Sequence, residues 1–231
     1  SSRPRPRDRD IVLHWDARSG FDQPVSFVVV TDYRAALAES MRSNVANNTR
    51  EKLTRDYLDY YARYYHGIRS KGTLEIEDDI AENRLRTTER YEISGFGTDG
   101  ADGRRTGTIW VPDLDSLVSS PGPASRVAPL GVEHPLEVGL RTEVLLSDDW
   151  SFEPETVTVE DPAFRWERTV EPHKDRLVIT DHFRSRVDEV PAAEAERYIG
   201  NLARVRGESG FPLAWPAAGS AFRAVISVPR P

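Results

Sequence analysis

The 231-residue sequence predicts an α+β fold: an antiparallel sheet with a two-helix layer, followed by an antiparallel β meander or sandwich with one C-terminal helix. Leu37, Met41 and Val45 recur every four residues, as they do on one buried face of a helix. The segment 136–146 alternates apolar and polar residues, which is typical of a strand with one wet face. Apolar residues make up only 38% of the chain, which favours such sheets over a doubly covered parallel sheet.

Residues 11–118 are predicted to form a first α+β subdomain that contains both early helices. The segments 11–15 and 25–31 are rich in apolar and β-branched residues and predict two strands around a turn. Asp32 is expected to cap the first helix, because its carboxylate can accept hydrogen bonds from the first helical N–H groups. Ala35, Ala36 and Ala38 behind it favour the helical state.

The second helix is predicted to begin at Asn48 and to run to about Tyr65. Asn48 and Glu51 have the three-residue spacing of a capping box, and Gly67 suits the position after a helix end. From 73 to 93 the apolar period changes to two, with a turn near Asn83, which predicts a β-hairpin. These strands are expected to form an antiparallel sheet with both helices on one face.

The proline- and glycine-rich segment 121–123 predicts an internal boundary before a β-rich subdomain at 124–231. Alternating segments at 136–146, 157–170 and 177–183 predict a meander or sandwich. Pro191 suits the first turn of a helix. The buried stripe of that helix is predicted to consist of Tyr198, Leu202 and Val205. A last strand is predicted after it, from Phe211, Trp215 and the run 222–228.

Charge argues against a nucleic-acid surface, since the net charge is −7 and acids and bases are interspersed. The basic cluster near the start is broken by prolines, so residues 1–10 are predicted to be a linker. Its arginines are Arg3, Arg5, Arg7 and Arg9.

Cysteine is missing from the sequence, which excludes thiolate catalysis and zinc–thiolate sites. The five histidines form no HxH, HxxxH or HExxH pair, and no glycine-rich phosphate loop occurs. We therefore expect no catalytic residue, no metal and no cofactor. The sequence contains no run of about 18 apolar residues, which is the length that a membrane-spanning helix needs. No membrane span is therefore predicted.

A dense tyrosine cluster supplies the candidate ligand-binding residues Tyr57, Tyr60, Tyr61 and Tyr64. Exposed tyrosine rings can stack on a glycan or a peptide. The alternative is an amphipathic helix face that lies on the sheet with its hydroxyls at the rim. The helical spacing of these tyrosines favours that structural interpretation.

An acidic patch has enough oxygen ligands for calcium but lacks the glycine-bearing EF-hand pattern. Strand alternation favours a solvated face instead. The residues are Glu75, Glu77, Asp78, Asp79 and Glu82.

His14 and Asp16 lie two residues apart, on one face of a predicted strand. A base held by a carboxylate has this spacing, and Ser19 and Ser26 are near in sequence. Neither serine stands in a GxSxG elbow, so surface pairing is the favoured interpretation.

Several sequence phrases together resemble the region downstream of the catalytic core in bacterial transglutaminase-like proteins that begin with a β-rich domain of unknown function. The phrases are VVTDYR at 29–34, LDYYARYY at 58–65, LEIEDD at 74–79, ERYEI at 89–93, PETVTVEDPAF at 154–164 and the helix at 198–202. The resemblance covers about 11–215. It implies a papain-like Cys–His–Asp core elsewhere in the same polypeptide, and an exported or envelope-associated parent.

The resemblance therefore predicts a non-catalytic accessory region that packs on that core in cis or presents a peptide or protein substrate to it. The alternative is a stand-alone peptide- or glycan-binding module that uses the tyrosine helix or a sheet edge. A cysteine-free hydrolase built on His14 and Asp16 is the third hypothesis.

Overall fold

The computed structural model describes residues 7–100, 103–119, 128–147 and 150–217, and within them the fold is α+β. The strands are β1 (Arg9–Asp16), β2 (Val25–Arg34), β3 (Ile68–Ser70), β4 (Glu75–Asp79), β5 (Arg84–Ile93), β6 (Thr98–Asp99), β7 (Arg104–Trp110), β8 (Leu130–Gly131), β9 (Glu137–Leu145), β10 (Glu155–Asp161), β11 (Phe164–Pro172), β12 (Arg176–Ser185), β13 (Glu189–Val190) and β14 (Gly210–Pro216). The helices are α1 (Ala35–Asn47), α2 (Arg50–Ala62), α3 (Pro112–Leu117) and α4 (Ala195–Gly207), with a 3-10 turn at Ala192–Glu194.

A nine-stranded sheet with the order β10–β11–β12–β9–β1–β2–β5–β3 dominates the described chain, and β4 also pairs with β5. Its described pairs are antiparallel except for β1 and β9, which run parallel. This pair joins the halves 11–118 and 124–231. The three-stranded sheet β14–β7–β6 also joins them, because β7 and β14 come from different halves. The sequence pattern did not indicate either long-range pairing.

One face of the large sheet is buried beneath the helices and the three-stranded sheet. Strand alternation places most of the large apolar residues of the long strands on this face. Its buried members include Leu13, Trp15, Phe27, Val29, Tyr91, Leu140, Val144, Val159, Trp166, Ile179 and Phe183. The stripe on α1 packs here through buried Met41, and the stripe on α4 packs through Tyr198, whose ring lies 5.8 Å from that of Phe164.

The opposite face of the sheet carries cross-strand ion pairs. Asp10 accepts from Arg34 at 2.7 Å, and Asp32 accepts two hydrogen bonds from Arg86 at 2.9 and 2.8 Å. Glu143 lies 3.4 Å from Arg176. Charged residues make up 30% of the chain, and this wet face accommodates many of them without burial.

The predicted helix caps are wrong at both helices. Asp32 does not cap α1, because β2 continues to Arg34 and Asp32 holds Arg86 across the sheet. The cap of α2 is Thr49 rather than Asn48, since the Thr49 side chain accepts from the Lys52 N–H at 3.2 Å. Sequence spacing alone did not separate these adjacent residues, because both can accept hydrogen bonds from a helix start.

Thr49→Ala is expected to lower the free energy of unfolding by about 1 kcal/mol, because one N–H of the first turn of α2 loses its acceptor. Thr49→Ser should retain most of the stability. Urea unfolding measures both. Asn48→Ala is the comparison: Asn48 is partly exposed and its amide donates to Asn44 at the end of α1 rather than to α2, so its loss should be smaller than that of Thr49→Ala. A larger loss at Asn48 than at Thr49 would contradict the assigned cap.

Several element boundaries differ from the predicted ones. The predicted linker 1–10 ends earlier, since β1 begins at Arg9. Helix α2 ends at Ala62, so Tyr64 and Tyr65 lie in the turn after it. The short helix α3 was not predicted. Residues 1–6 of the linker, the boundary segment 121–123 and the run 222–228 lie outside the described residues.

Candidate ligand pocket

The C-terminal end of α2 packs on the sheet through aromatic rings. Tyr61 meets Phe27 edge-on at 5.3 Å, and Tyr65 meets Trp15 edge-on at 5.1 Å. Phe96, just after β5, stacks on Tyr65 at 6.2 Å. Such offset and edge-on contacts stabilise aromatic clusters beyond simple burial. The cluster fixes the position of the turn that follows α2.

The tyrosine hydroxyls connect α2 to α3. Tyr60 shares a hydrogen bond of 2.8 Å with the Ser116 hydroxyl, and Tyr61 donates to Asp113 at 3.3 Å. Tyr64 donates to Asp115 at 3.2 Å. These bonds orient the tyrosine rings.

The Tyr65 hydroxyl bonds the backbone of β7. It accepts from the Trp110 N–H at 2.7 Å and donates to the Trp110 carbonyl at 3.2 Å. Helix α2 and the three-stranded sheet are thereby held at a fixed separation.

A pocket of about 410 Å³ lies between the turn after α2 and the three-stranded sheet. Thr106, Thr108 and Trp110 alternate along β7 and line one wall, with Pro212 of β14 beside them. The opposite wall consists of the turn between α2 and β3. Its lining residues are Tyr64, Tyr65, His66 and Gly67, with Ile93, Gly95, Phe96, Thr98, Gly107 and Leu213 completing the pocket.

Two glycines permit the close approaches that shape this pocket. A Cβ at Gly67 would lie 1.8 Å from the Ser94 carbonyl oxygen, so the chain before β3 can meet β5 only with glycine there. A Cβ at Gly107 would lie 2.5 Å from the Phe96 ring. The Phe96 ring therefore occupies the space that any larger residue at 107 would need.

The pocket lining is aromatic and polar but carries no Asp, Glu, Lys or Arg among the described residues. The Tyr64 and Trp110 rings are 6.0 Å apart and inclined at 51°. Exposed hydroxyls come from Thr98 and Thr106, and His66 is exposed at the edge. Burial and the Asp115 charge raise the pKa of Tyr64, so its phenol stays protonated as a hydrogen-bond donor. This chemistry suits an uncharged ligand with hydroxyl groups and a flat apolar face.

One buried and one partly buried carboxyl group lie near the tyrosine cluster. Glu89, on β5, is 6% exposed and accepts a 2.7 Å hydrogen bond from Tyr91. Burial raises the pKa of Glu89 to about 8, with a further rise from the Asp113 charge. Burial also raises the pKa of Asp113, against the Arg9 charge and the Tyr61 hydrogen bond. A cavity of about 10 Å³ beside Glu89 has room for about one water molecule.

The structure separates the four tyrosine candidates. Tyr64 lines the pocket, whereas Tyr61 is buried and Tyr60 is bonded to α3. Tyr57 packs on α1, with its hydroxyl 3.8 Å from the Met41 sulfur. Their role in ligand binding stays a prediction.

Arginines pair with the acidic patch at 75–82. Arg42 donates to Asp78 at 3.0 Å and Arg90 donates to Glu75 at 3.1 Å. Within the described ranges, no three His, Asp or Glu side chains converge as a metal site would need.

His14 and Asp16 have different partners on the wet face. Arg18 binds Asp16 at 2.9 and 2.6 Å, and the His14 Nδ1 lies 3.5 Å from Glu143.

Sequence reasoning missed most of the pocket, including Trp110, Thr106, Thr108 and His66. The alternation of RTGTIW in β7 was an available signal, because Thr106, Thr108 and Trp110 share one face of that strand. The opposite wall could not be found in this way, since it comes from residues about 40 positions earlier.

The fold and the pocket together define an α+β protein with a wide, largely antiparallel sheet and an uncharged aromatic pocket at its smaller sheet. Comparison with family models, with curated proteins and with solved structures gave no match. None of the helices in the described parts of the chain is both long and apolar enough to cross a bilayer.

Proposed function

We propose that this chain is a non-catalytic binding module that holds a neutral saccharide in the pocket between Tyr64 and β7. The observation that carries the proposal is the uncharged lining, which combines two inclined aromatic rings with threonine hydroxyls. Sugars present apolar C–H faces that pack on aromatic rings and hydroxyls that pair with donors and acceptors.

The volume and the rigidity of the pocket support this proposal. About 410 Å³ is within the range of small-ligand sites and accommodates one or two sugar rings. Both walls are anchored, because Tyr65 bonds the backbone of Trp110 and Tyr64 bonds Asp115. A pre-formed site loses less conformational entropy when it binds.

The wider role that we propose is that of an accessory region in a transglutaminase-like bacterial protein, presenting a bound ligand to a catalytic core in cis. The sequence resemblance supports this role, as does the lack of a cysteine nucleophile in the chain. Hydrolysis or cross-linking of peptides by this chain alone would overturn it.

Titration with neutral oligosaccharides, followed by two-dimensional NMR of the tryptophan indole N–H groups, tests the saccharide proposal. We expect the Trp110 signal, assigned with Trp110→Phe, to shift, while that of buried Trp166 stays in place. Thr106→Val combined with Thr108→Val should weaken binding about tenfold, because two hydroxyl partners are removed without a change of shape.

The matched control is Thr156→Val with Thr158→Val, at two exposed positions of β10, which should leave the affinity unchanged. A parallel panel of uncharged peptides distinguishes the two ligand classes. Peptide binding without sugar binding would overturn the saccharide assignment, and no Trp110 shift with either panel would overturn the pocket as a binding site.

A further inference from the structure

Arg9 lies on the buried face of the large sheet. It alternates along β1 with Ile11 and Leu13, which are 1% and 0% exposed, so its side chain leaves the strand on their side. Its opposite neighbours in the sheet are Tyr33 and Val138. Arg9 as a whole is partly exposed, but its guanidinium keeps its charge beside the apolar core, which favours a negative group next to it.

The charge of Arg9 has no paired partner within the described residues. Its Nε is buried and makes no hydrogen bond, and no carboxylate forms an ion pair with its guanidinium. The neighbouring arginines differ, since Arg7 and Arg34 both bind Asp10 at 2.7 Å. Asp113 and Arg9 attract each other electrostatically, but no hydrogen bond or ion pair joins the two side chains.

A second cavity, of about 390 Å³, opens beside Arg9. One wall is apolar and comes from Leu136, Phe183 and Leu202, and the hydroxyls of Ser116 and Ser119 lie on another wall. Glu133 is the other charged residue of the lining, and it is exposed to solvent, where water screens its charge. The cavity therefore combines one partly buried positive charge with one apolar wall.

We propose that this cavity binds a small amphipathic monocarboxylate, with the carboxylate on Arg9 and the hydrocarbon body against Leu136, Phe183 and Leu202. A carboxylate matches the planar fork of a guanidinium and can accept two parallel hydrogen bonds from it. Because Arg9 is the one cationic side chain among the described residues that line the cavity, the site favours a ligand with one negative charge. The apolar wall favours a hydrocarbon body over a bare inorganic anion.

Isothermal titration of the full chain with octanoate, octanol and octylamine tests the proposal, with octanoate and octylamine kept below their micelle-forming concentrations and octanol below its solubility limit. Octanoate should bind at one site at least tenfold more tightly than octanol, because only octanoate forms an ion pair with two parallel hydrogen bonds to Arg9. Octylamine should bind more weakly still, because its positive charge is repelled by Arg9. Arg9→Gln should abolish this preference, and Arg9→Lys should retain part of it. Arg7→Gln, on an exposed residue that does not line the cavity, should change nothing.

Thermal unfolding of the unchanged chain gives a second measurement that does not depend on a variant that folds. Octanoate should raise the midpoint more than octanol does at equal concentration, because a ligand that binds the folded state stabilises it. Equal binding of octanoate and octanol, or octanoate binding unaffected in Arg9→Gln, would overturn the proposal. The Thr106→Val/Thr108→Val variant should bind octanoate normally, which separates this site from the saccharide pocket.

Discussion

Replacement of Asp181 by asparagine is expected to lower the free energy of unfolding by about 3–5 kcal/mol, because it leaves a buried guanidinium without a counter-charge. Asp181 of β12 and Arg168 of β11 face each other in the sheet, and both side chains are 1% exposed. Two parallel hydrogen bonds of 2.8 and 2.9 Å join them. Arginine cannot lose its proton at any ordinary pH, so the variant cannot relieve the charge.

Arg168 also connects the sheet to the last helix. Its Nη1 donates to the Glu208 carbonyl just after α4, and its Cζ lies 5.7 Å from the centre of the Trp166 ring. A disturbed guanidinium should therefore loosen the C-terminal end of α4 as well as the strand pair. Hydrogen exchange should show faster opening of the amides near 205–208 in the variant.

Urea unfolding at pH 7 measures the loss, with Arg165→Met as the matched control. Arg165 lies on the same strand but on the wet face, where it pairs with Glu160 and Glu167 and is 45% exposed. That control should lose less than about 1 kcal/mol. Arg168→Met with Asp181→Leu should be more stable than Asp181→Asn by about 2 kcal/mol, because it removes both charges. Equal losses at Asp181 and Arg165 would contradict this account.

Glu89→Gln is expected to stabilise the protein by about 3 kcal/mol at pH 7, with the gain shrinking towards zero near pH 4.5. Burial raises the pKa of Glu89 from 4.5 to about 8. Folding therefore favours the protonated acid. Glutamine removes the titration and still offers a side-chain oxygen to the Tyr91 hydroxyl.

The direction of this pH dependence follows from the two pKa values of Glu89. Below about pH 4.5 the carboxyl is protonated in both states, and its full contribution to stability is present. Between pH 4.5 and about 8 the unfolded chain loses the proton while the folded protein retains it, so stability falls. Each pH unit in that window costs about 1.4 kcal/mol.

Urea unfolding of the wild-type chain and of Glu89→Gln from pH 4.5 to 8 checks this prediction. Glu92→Gln is the control, since Glu92 lies on the same strand but pairs with Arg69 and Lys71 near the surface. The difference in the free energy of unfolding between Glu92→Gln and the wild type should vary by less than about 1 kcal/mol over this pH range. A Glu89→Gln difference that does not grow with pH would show that the buried carboxyl is ionised in the folded state.

The sequence predicted the elements well where their periodicity was strong. The alternation at 136–146 corresponds to β9, and the stripe of Tyr198, Leu202 and Val205 corresponds to the buried face of α4. Boundaries were less predictable, because Asp32 and Asn48 have the residue types of helix caps. Asp32 instead pairs with Arg86, which is distant in sequence and adjacent in the sheet.

The candidate sites likewise combine residues that the sequence indicated with residues that only the tertiary structure brings next to them. Tyr64 was among the predicted residues, but the wall opposite it comes from β7, about 45 residues later. Arg9 was assigned to a basic linker because its neighbours Arg3, Arg5 and Arg7 lie among prolines. Only the pairing of β1 with β2 and β9 places it on the buried face, where its charge meets a cavity.

By itself the sequence determined the α+β class, the strand and helix periodicities and the lack of a thiol nucleophile, since residue types and their spacing act over a few positions. Only the tertiary structure decided that β1 pairs in parallel with β9, that Arg168 and Asp181 form a buried ion pair, and that two cavities exist. Each of these depends on contacts between residues far apart in the chain. Local pattern does not specify which distant strand lies beside a given one, and pocket walls and charge pairs follow from that choice.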